Sequence, residues 1–242
     1  MKIVLLSFLC AILLFASGCT SSHSTGIVCV GMGNSAKYGN CPGAQLDAQN
    51  MTKLLSQYGH VTTLLNQQAT KAAVINAFRQ AAQKDLCIFF YSGHGGSDPI
   101  GNTADEPDRK NEYLCLYNTY MLDNEIWEIV KGAKGRVVLI FDCCHSETMF
   151  RDPGVDMEGI VARAMEERSA DNVQMLCWSG CPDNSYSYGG NDGGILTNAI
   201  LESYKKGKTY KSVWGRVKNI AANQHPRKTV IGKNFEDKKV FQ

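Results

Sequence analysis

The chain has 10 cysteines in 242 residues, yet no two of them stand in a Cys-x-x-Cys pair. That absence excludes thioredoxin-like thiol–disulfide exchange, and it removes the paired spacing of the common zinc modules. Charge of one sign is also lacking. A formal net charge of +2 gives no drive toward nucleic acid or an anionic surface. There is no internal repeat and no low-complexity tract. The longest apolar run, Ile3 to Ala16, is too short to cross a bilayer comfortably. What remains is 44% apolar residues, enough for a proper core in one domain.

The most informative stretch runs from Arg136 to Ser146. A β-branched apolar run, Val137 to Phe141, stops on Asp142, Cys143, Cys144, His145 and Ser146. A short apolar run without polar alternation reads as a strand buried on both faces, the habit of parallel sheets. Leu86 to Tyr91 has the same form and ends in Ser92-Gly-His-Gly. In open α/β sheets, chemistry gathers at the carboxyl ends of such strands. If the two strands are parallel, His94 and the Cys143/Cys144 pair emerge at one edge. A cysteine nucleophile needs a base beside it in space rather than in sequence. The intervening pattern supports this arrangement. A strand at Gly26–Gly31 precedes a helix from Gln45, with Leu46, Met51, Leu54, Leu55 and Tyr58 inward and Gly59 closing it. A strand at Val61–Leu65 follows, then a helix capped by Thr70. This β-α-β-α-β order argues for a parallel sheet with helices on its faces. Gly95–Glu112 reads as a polar loop, and Tyr113–Tyr117 and Val173–Trp178 as further strands. Asp123–Val130, Ile195–Tyr204 and Tyr210–Asn223 read as helices, the last with Val213, Trp214, Val217 and Ile220 inward, and Lys228–Ile231 as the final strand.

Ser92-Gly-His-Gly and Asp142-Cys-Cys-His-Ser resemble the two catalytic motifs of the metacaspases and related bacterial caspase-like peptidases. The caspase signature Gln-Ala-Cys-x-Gly is absent, and Glu147 stands where metacaspases have Gly. The resemblance implies a caspase-like three-layer α/β sandwich, with a mostly parallel central sheet and helices on both faces. It makes Cys144 the nucleophile and His94 the general base. The Gly95 and Cys144 N–H groups would form the oxyanion hole, and Cys143 would point into the sheet. Gly43-Ala-Gln-Leu-Asp-Ala48 resembles the metacaspase segment at the start of the first helix, with Ala44 and Leu46 as departures. By that resemblance Asp47, Ser92 and Asp142 line the pocket for the substrate residue before the cut. Two unpaired carboxylates there would favour Arg or Lys, the alternative being that they cap a helix or bond to backbone. Gly193-Gly-Ile-Leu-Thr-Asn-Ala199 resembles a helix start late in the domain. Asp108 to Leu114 resembles an acidic segment after the catalytic His, with Asn111 in an Asp position.

The expected activity is therefore that of a cysteine endopeptidase acting on proteins or peptides, with no required cofactor and no metal at the site. The same resemblance implies calcium as an activator, with Asp105, Glu106, Asp108 and Asp152 to supply its oxygens. Two rivals are an inactive relative serving as a binding module and another Cys–His acyl-transfer enzyme. Residues 1–19 read as a lipoprotein-type signal, ending in Ala16-Ser-Gly-Cys19. Residues 20–25 form a tether and 26–242 the peptidase domain. The protein is thus expected to be exported and held on a membrane by a lipid on Cys19. The charged stretch Thr148–Asp171, with Arg151, Arg163 and Arg168, suits a self-processing loop. Cys29, Cys87, Cys115 and Cys177 read as core thiols, His23, His60 and His225 as surface residues, and Cys41 with Cys181 as a disulfide.

Overall fold

The computed structural model describes residues 23–35, 39–101, 110–143, 173–181 and 189–242. The signal segment, the residues proposed for calcium (Asp105, Glu106, Asp108 and Asp152), Cys144, His145 and the 148–171 stretch lie outside them.

In chain order the elements are β1 (Thr25–Gly31), a small hairpin of β2 (Asn34–Ser35) and β3 (Gly39–Asn40), α1 (Pro42–Leu55), β4 (Val61–Leu65), α2 (Lys71–Ala82) and β5 (Leu86–Ser92). Next come β6 (Gly95–Asp98), β7 (Asn111–Cys115) and β8 (Tyr120–Leu122), which form a three-stranded side sheet, and α3 (Asp123–Lys131). Then follow β9 (Arg136–Asp142), β10 (Met175–Ser179), a glycine hairpin of β11 (Gly189–Gly190) and β12 (Gly193–Gly194), α4 (Ile195–Ser203), α5 (Tyr210–Ile220) and β13 (Arg227–Ile231).

The main sheet has the order β13-β10-β9-β5-β1-β4. Every pair is parallel except β10 with β13. The chain steps outward from β1 to β4, then returns to β5 on the other side of β1. That reversal is where the carboxyl ends of an α/β sheet leave a crevice.

Two cores hold the three layers together. On one face Val28, Val30, Phe89, Tyr91, Leu139 and Phe141 meet Val74 and Phe78 of α2 and Ile126 and Trp127 of α3. On the other, Ile88, Phe90, Ile140 and Trp178 meet Met51 of α1, Leu196 of α4 and Val213, Trp214 and Val217 of α5. Successive strand residues serve opposite faces, so an unbroken apolar run is needed where helices cover both. Phe78 stacks on Phe89 at 4.4 Å, and Trp178 on Trp214 at 5.5 Å. Truncating such a buried aromatic to Ala costs about 3–5 kcal/mol.

Several local expectations change. Helix α1 begins at Pro42, three residues before the expected start, because Pro at the first helical positions has a suitable φ and no N–H to leave unpaired. It ends at Leu55 with Ser56 as its cap, not at Gly59. Its buried stripe is Ala44, Asp47, Ala48, Met51 and Leu55, so Leu46 falls to the side and is 37% exposed. In α5 the stripe continues from Val217 to Ala221, leaving Ile220 42% exposed. The stretch expected as a loop after His94 opens with strand β6, whose Gly-Gly-Ser-Asp sequence carries no hydrophobic alternation. Cys41 and Cys181 are separate thiols. Cys181 is buried at the end of β10, where its Sγ donates to the Cys143 carbonyl at 3.5 Å. The four core thiols are buried as expected, and burial pushes the Cys29 pKa up to about 12. His23, His60 and His225 are exposed.

Candidate active site

Strands β5 and β9 run side by side in a register that sets Ser92 opposite Asp142, and β1 sets Gly31 opposite Ser92. Both sequence motifs therefore begin at the same edge of the sheet. Gly93 N–H continues the pairing by donating to the Asp142 carbonyl at 3.4 Å. A side chain on Gly93 would place Cβ 2.6 Å from the Tyr91 hydroxyl and 2.9 Å from Met32 Cβ, with φ at +155°. Glycine is required at this step.

His94 is pinned through its backbone. Its carbonyl accepts from Cys115 N–H at 3.0 Å. The Tyr91 hydroxyl lies 2.7 Å from the carbonyls of His94 and Cys115 and donates between them. Burial holds the Tyr91 pKa well above its ordinary value, so it stays a neutral donor. The imidazole is half-buried, and its Nε2 has no hydrogen-bond partner among the described residues. A buried ring nitrogen in that condition is suited to act on a reacting group, because nothing fixed competes for it. Gly95 is the first residue of β6, opposite Leu114 of β7, rather than part of a turn. On the β9 side, Cys143 is buried in the first core with Tyr91 and Phe141, and Cys144 lies outside the described residues.

Asp47, Ser92 and Asp142 come together from α1, β5 and β9, and all three are buried. Ser92 Oγ donates to Asp47 Oδ2 at 2.7 Å. Gly194 N–H donates to both Asp47 oxygens at 3.0 Å. Asp142 Oδ2 accepts from both the N–H and the hydroxyl of Thr197 at 2.8 Å. The expectation of two unpaired carboxylates does not hold. Each bonds to backbone, and Asp142 caps α4 from outside, since Gly194 at that helix's own cap position has no side chain to do so.

The glycine hairpin makes this possible. A Cβ on Gly194 would collide with the Asp142 carboxylate. One on Gly193, whose φ is +99°, would collide with Asp47. Gly43 in the first turn of α1 packs in the same way against Gly190 and Gly193. Gly194 and Thr197 lie in the segment expected to start a late helix, but nothing in that expectation tied them to Asp47 and Asp142. The signal that could have found them was the Gly-Gly step before an apolar helix without a capping side chain.

Burial and the neighbouring Asp142 charge raise the Asp47 pKa from 3.8 to about 6, against the lowering effect of Ser92 and Gly194. A carboxyl group with a raised folded-state pKa favours folding most when protonated. That contribution is full below about pH 4 and is lost as pH rises through about 6. The shift corresponds to roughly 3 kcal/mol at most. Wild type should therefore lose stability relative to Asp47→Asn between about pH 4 and pH 6. Melting curves of the two proteins across that range measure the difference, and parallel curves would reject the assignment. Among the described residues no group of three or more His, Cys, Asp or Glu side chains could hold a metal.

The Caspase domain family profile matches residues 27–236. The chain is 29% identical over 168 residues to Metacaspase-1 of Cryptococcus neoformans var. neoformans serotype D, a match that covers 60% of this chain and 36% of that protein. The chain thus spans about a third of the curated relative. A crystal structure of a Geobacter sulfurreducens protein superposes with a TM-score of 0.71 at 26% identity, covering 90% of this chain and 99% of the other. Caspase-1 from Spodoptera frugiperda superposes with a TM-score of 0.59 at 14% identity over 87% of each chain, which is a likeness of fold. With one profile spanning the sheet from β1 to beyond β13, and the fold to match, the chain belongs to the caspase-domain family of cysteine peptidases.

Proposed function

We propose that the chain is a cysteine endopeptidase that cuts after Arg or Lys, with Cys144 as nucleophile and His94 as general base. The observation that carries this reading is the register of β5 against β9, which starts both motifs at one sheet edge and leaves His94 Nε2 without a partner among the described residues. Cys143 is committed to the core, which supports its neighbour as the reacting thiol.

In the proposed reaction the Cys144 thiolate, paired with the His94 imidazolium, attacks the scissile carbonyl. The oxyanion that forms is held by the N–H groups of Gly95 and Cys144. Collapse of this intermediate breaks the C–N bond, and His94 gives its proton to the departing amine. His94 then takes a proton from water, whose oxygen attacks the thioester and releases the acid and the thiol. Asp47 and Asp142 form the base of the pocket for the substrate side chain, with Ser92 beside them. The donors on Asp47 are neutral and its charged neighbour is another carboxylate, so an entering guanidinium or ammonium relieves a like-charge contact. Fluorogenic peptides ending in Arg, Lys or Asp test the reading. Release from the Arg and Lys peptides supports it, and release after Asp or from none of them rejects it.

Export and acylation at Cys19 belong to the same proposal, from the apolar run that ends in Ala16-Ser-Gly-Cys19. Among the described residues no helix is long and apolar enough to cross a membrane. Expressed in a bacterium, the protein should fractionate with membranes, and Cys19→Ser should release it or stop its processing. Mass spectrometry showing an unmodified cytoplasmic Met1 would overturn this part. Calcium activation through Asp105, Glu106, Asp108 and Asp152 is a further part. It predicts faster cleavage on adding calcium, and loss of that response in Asp108→Ala.

A further inference from the structure

The sheet has a second edge, and it carries a cleft. Its walls are His23, Asp85, Lys134, Gly135, Arg136, Gln174, Lys238, Lys239 and Gln242, around a cavity of about 590 Å³. His23, Asp85, Lys134 to Arg136 and Gln174 stand at the amino ends of β1, β5, β9 and β10, as the pairings Thr25 with Leu86, Leu86 with Arg136 and Val137 with Met175 place them, and Lys238, Lys239 and Gln242 reach the cleft from the segment after β13. A seven-residue strand at about 3.3 Å per residue puts the cleft roughly 20 Å from the edge that bears Ser92 and Asp142.

The cleft concentrates positive charge that the whole-chain balance conceals. Four cationic side chains line it against one carboxylate side chain, Asp85. Asp85 is already engaged: Ser24 donates to it from N–H and hydroxyl at 2.9 Å, and Lys134 pairs with it at 3.2 Å. Together these bonds hold the Asp85 pKa down at about 2. Lys238 and Lys239 are exposed and have no ion pair among the described residues. Arg136 donates from Nη2 to the main-chain oxygen of Gln242 at 2.9 Å and lies over the Phe235 ring. Its Nη1 is buried with no hydrogen-bond partner among the described residues.

We infer that this cleft binds the phosphate headgroup of an acidic phospholipid. Position favours the lipid over a soluble phosphate. His23 lines the cleft, and the chain enters the sheet two residues later, at Thr25. The described residues therefore enter the sheet from the cationic side. On a membrane surface, the cleft faces the headgroups and the peptidase edge faces away, toward protein substrates. This orientation rests on the proposed anchoring, whereas the headgroup contact itself does not.

The test uses the full chain with Cys19→Ser, so that no lipid on the protein contributes. Its binding to phosphatidylcholine vesicles is compared with binding to vesicles that also contain phosphatidylglycerol. The leader, with Lys2 and its amino group, is common to every variant, so the part of the difference that the lysine variant removes reports the cleft. Basic residues near an anionic surface contribute about fivefold each, so Lys238→Gln with Lys239→Gln should remove roughly twenty-five-fold of the preference. Arg136→Gln should weaken it further. Because that change is half-buried and could unfold the domain, the lysine pair is the deciding variant. A preference for phosphatidylglycerol that disappears in the lysine variant supports the inference. Equal binding to both vesicles, or a preference the variant keeps, overturns it. Stabilisation by inorganic phosphate without any vesicle preference would overturn the lipid assignment in favour of a soluble ligand. Failure of acylation in the wild type would leave the vesicle result standing, so the two readings fail separately.

Discussion

Cys144→Ala is expected to reduce kcat/KM on an Arg peptide by about 10⁴-fold or more, the scale on which loss of a nucleophile removes catalysis. Cys143→Ala should stay within a few-fold of wild type. The two thiols are adjacent in sequence, so the contrast depends on geometry alone. Cys143 is packed between Tyr91, Phe141 and other residues of the first core, and its carbonyl accepts from the Cys181 thiol. Shortening it removes one buried sulfur, which should lower stability by roughly 1 kcal/mol. Steady-state kinetics on both variants, with melting temperatures to show that each is folded, provide the check. An inactive, folded Cys143→Ala beside an active Cys144→Ala would mean that the motif has been read one residue out of register.

Asp142→Ala should cost a substrate with Arg before the cut about tenfold to a hundredfold in kcat/KM, on a charge-assisted bond energy of ~1.5–3 kcal/mol. A substrate with a neutral residue there should change far less, and this separates the role from simple misfolding. The structure adds a second readout. The Asp47 pKa is raised to about 6, so the proposed pocket gains its second negative charge only as pH rises through that value. The preference for Arg over a neutral residue should therefore increase between about pH 5 and pH 7. Asp47→Asn should flatten that increase while leaving cleavage of the neutral substrate in place. Discrimination that does not vary with pH in wild type, or that survives Asp142→Ala, would remove these carboxylates from the specificity pocket.

The parts of the fold legible in the sequence were those set by burial. Leu86–Ser92 and Arg136–Asp142 are continuous apolar runs because both sheet faces are covered, and each ends in a polar cluster because each strand ends at a crevice. The order of strands and helices followed from the same pattern. Less legible were features decided by contacts distant in sequence. Strand β6 is Gly-Gly-Ser-Asp and is held by its partners rather than by its own side chains. Leu46 and Ile220 fit a helical period but miss the buried stripe by about one position. The approach of Asp47 and Asp142 could be anticipated from motifs. Their bonds to Gly194 and Thr197 could not, because those partners lie 147 and 55 residues away along the chain.

The central claim is that Cys144 is the reacting thiol of a peptidase that recognises a basic residue. One measurement tests it most directly. The protein is treated with a peptide acyloxymethyl ketone ending in Arg, digested, and the adduct is located by tandem mass spectrometry. The account predicts a thioether on Cys144, absent from His94→Ala and much slower to form with the corresponding Asp reagent. An adduct on Cys143, or equal labelling by the Asp reagent, would contradict it.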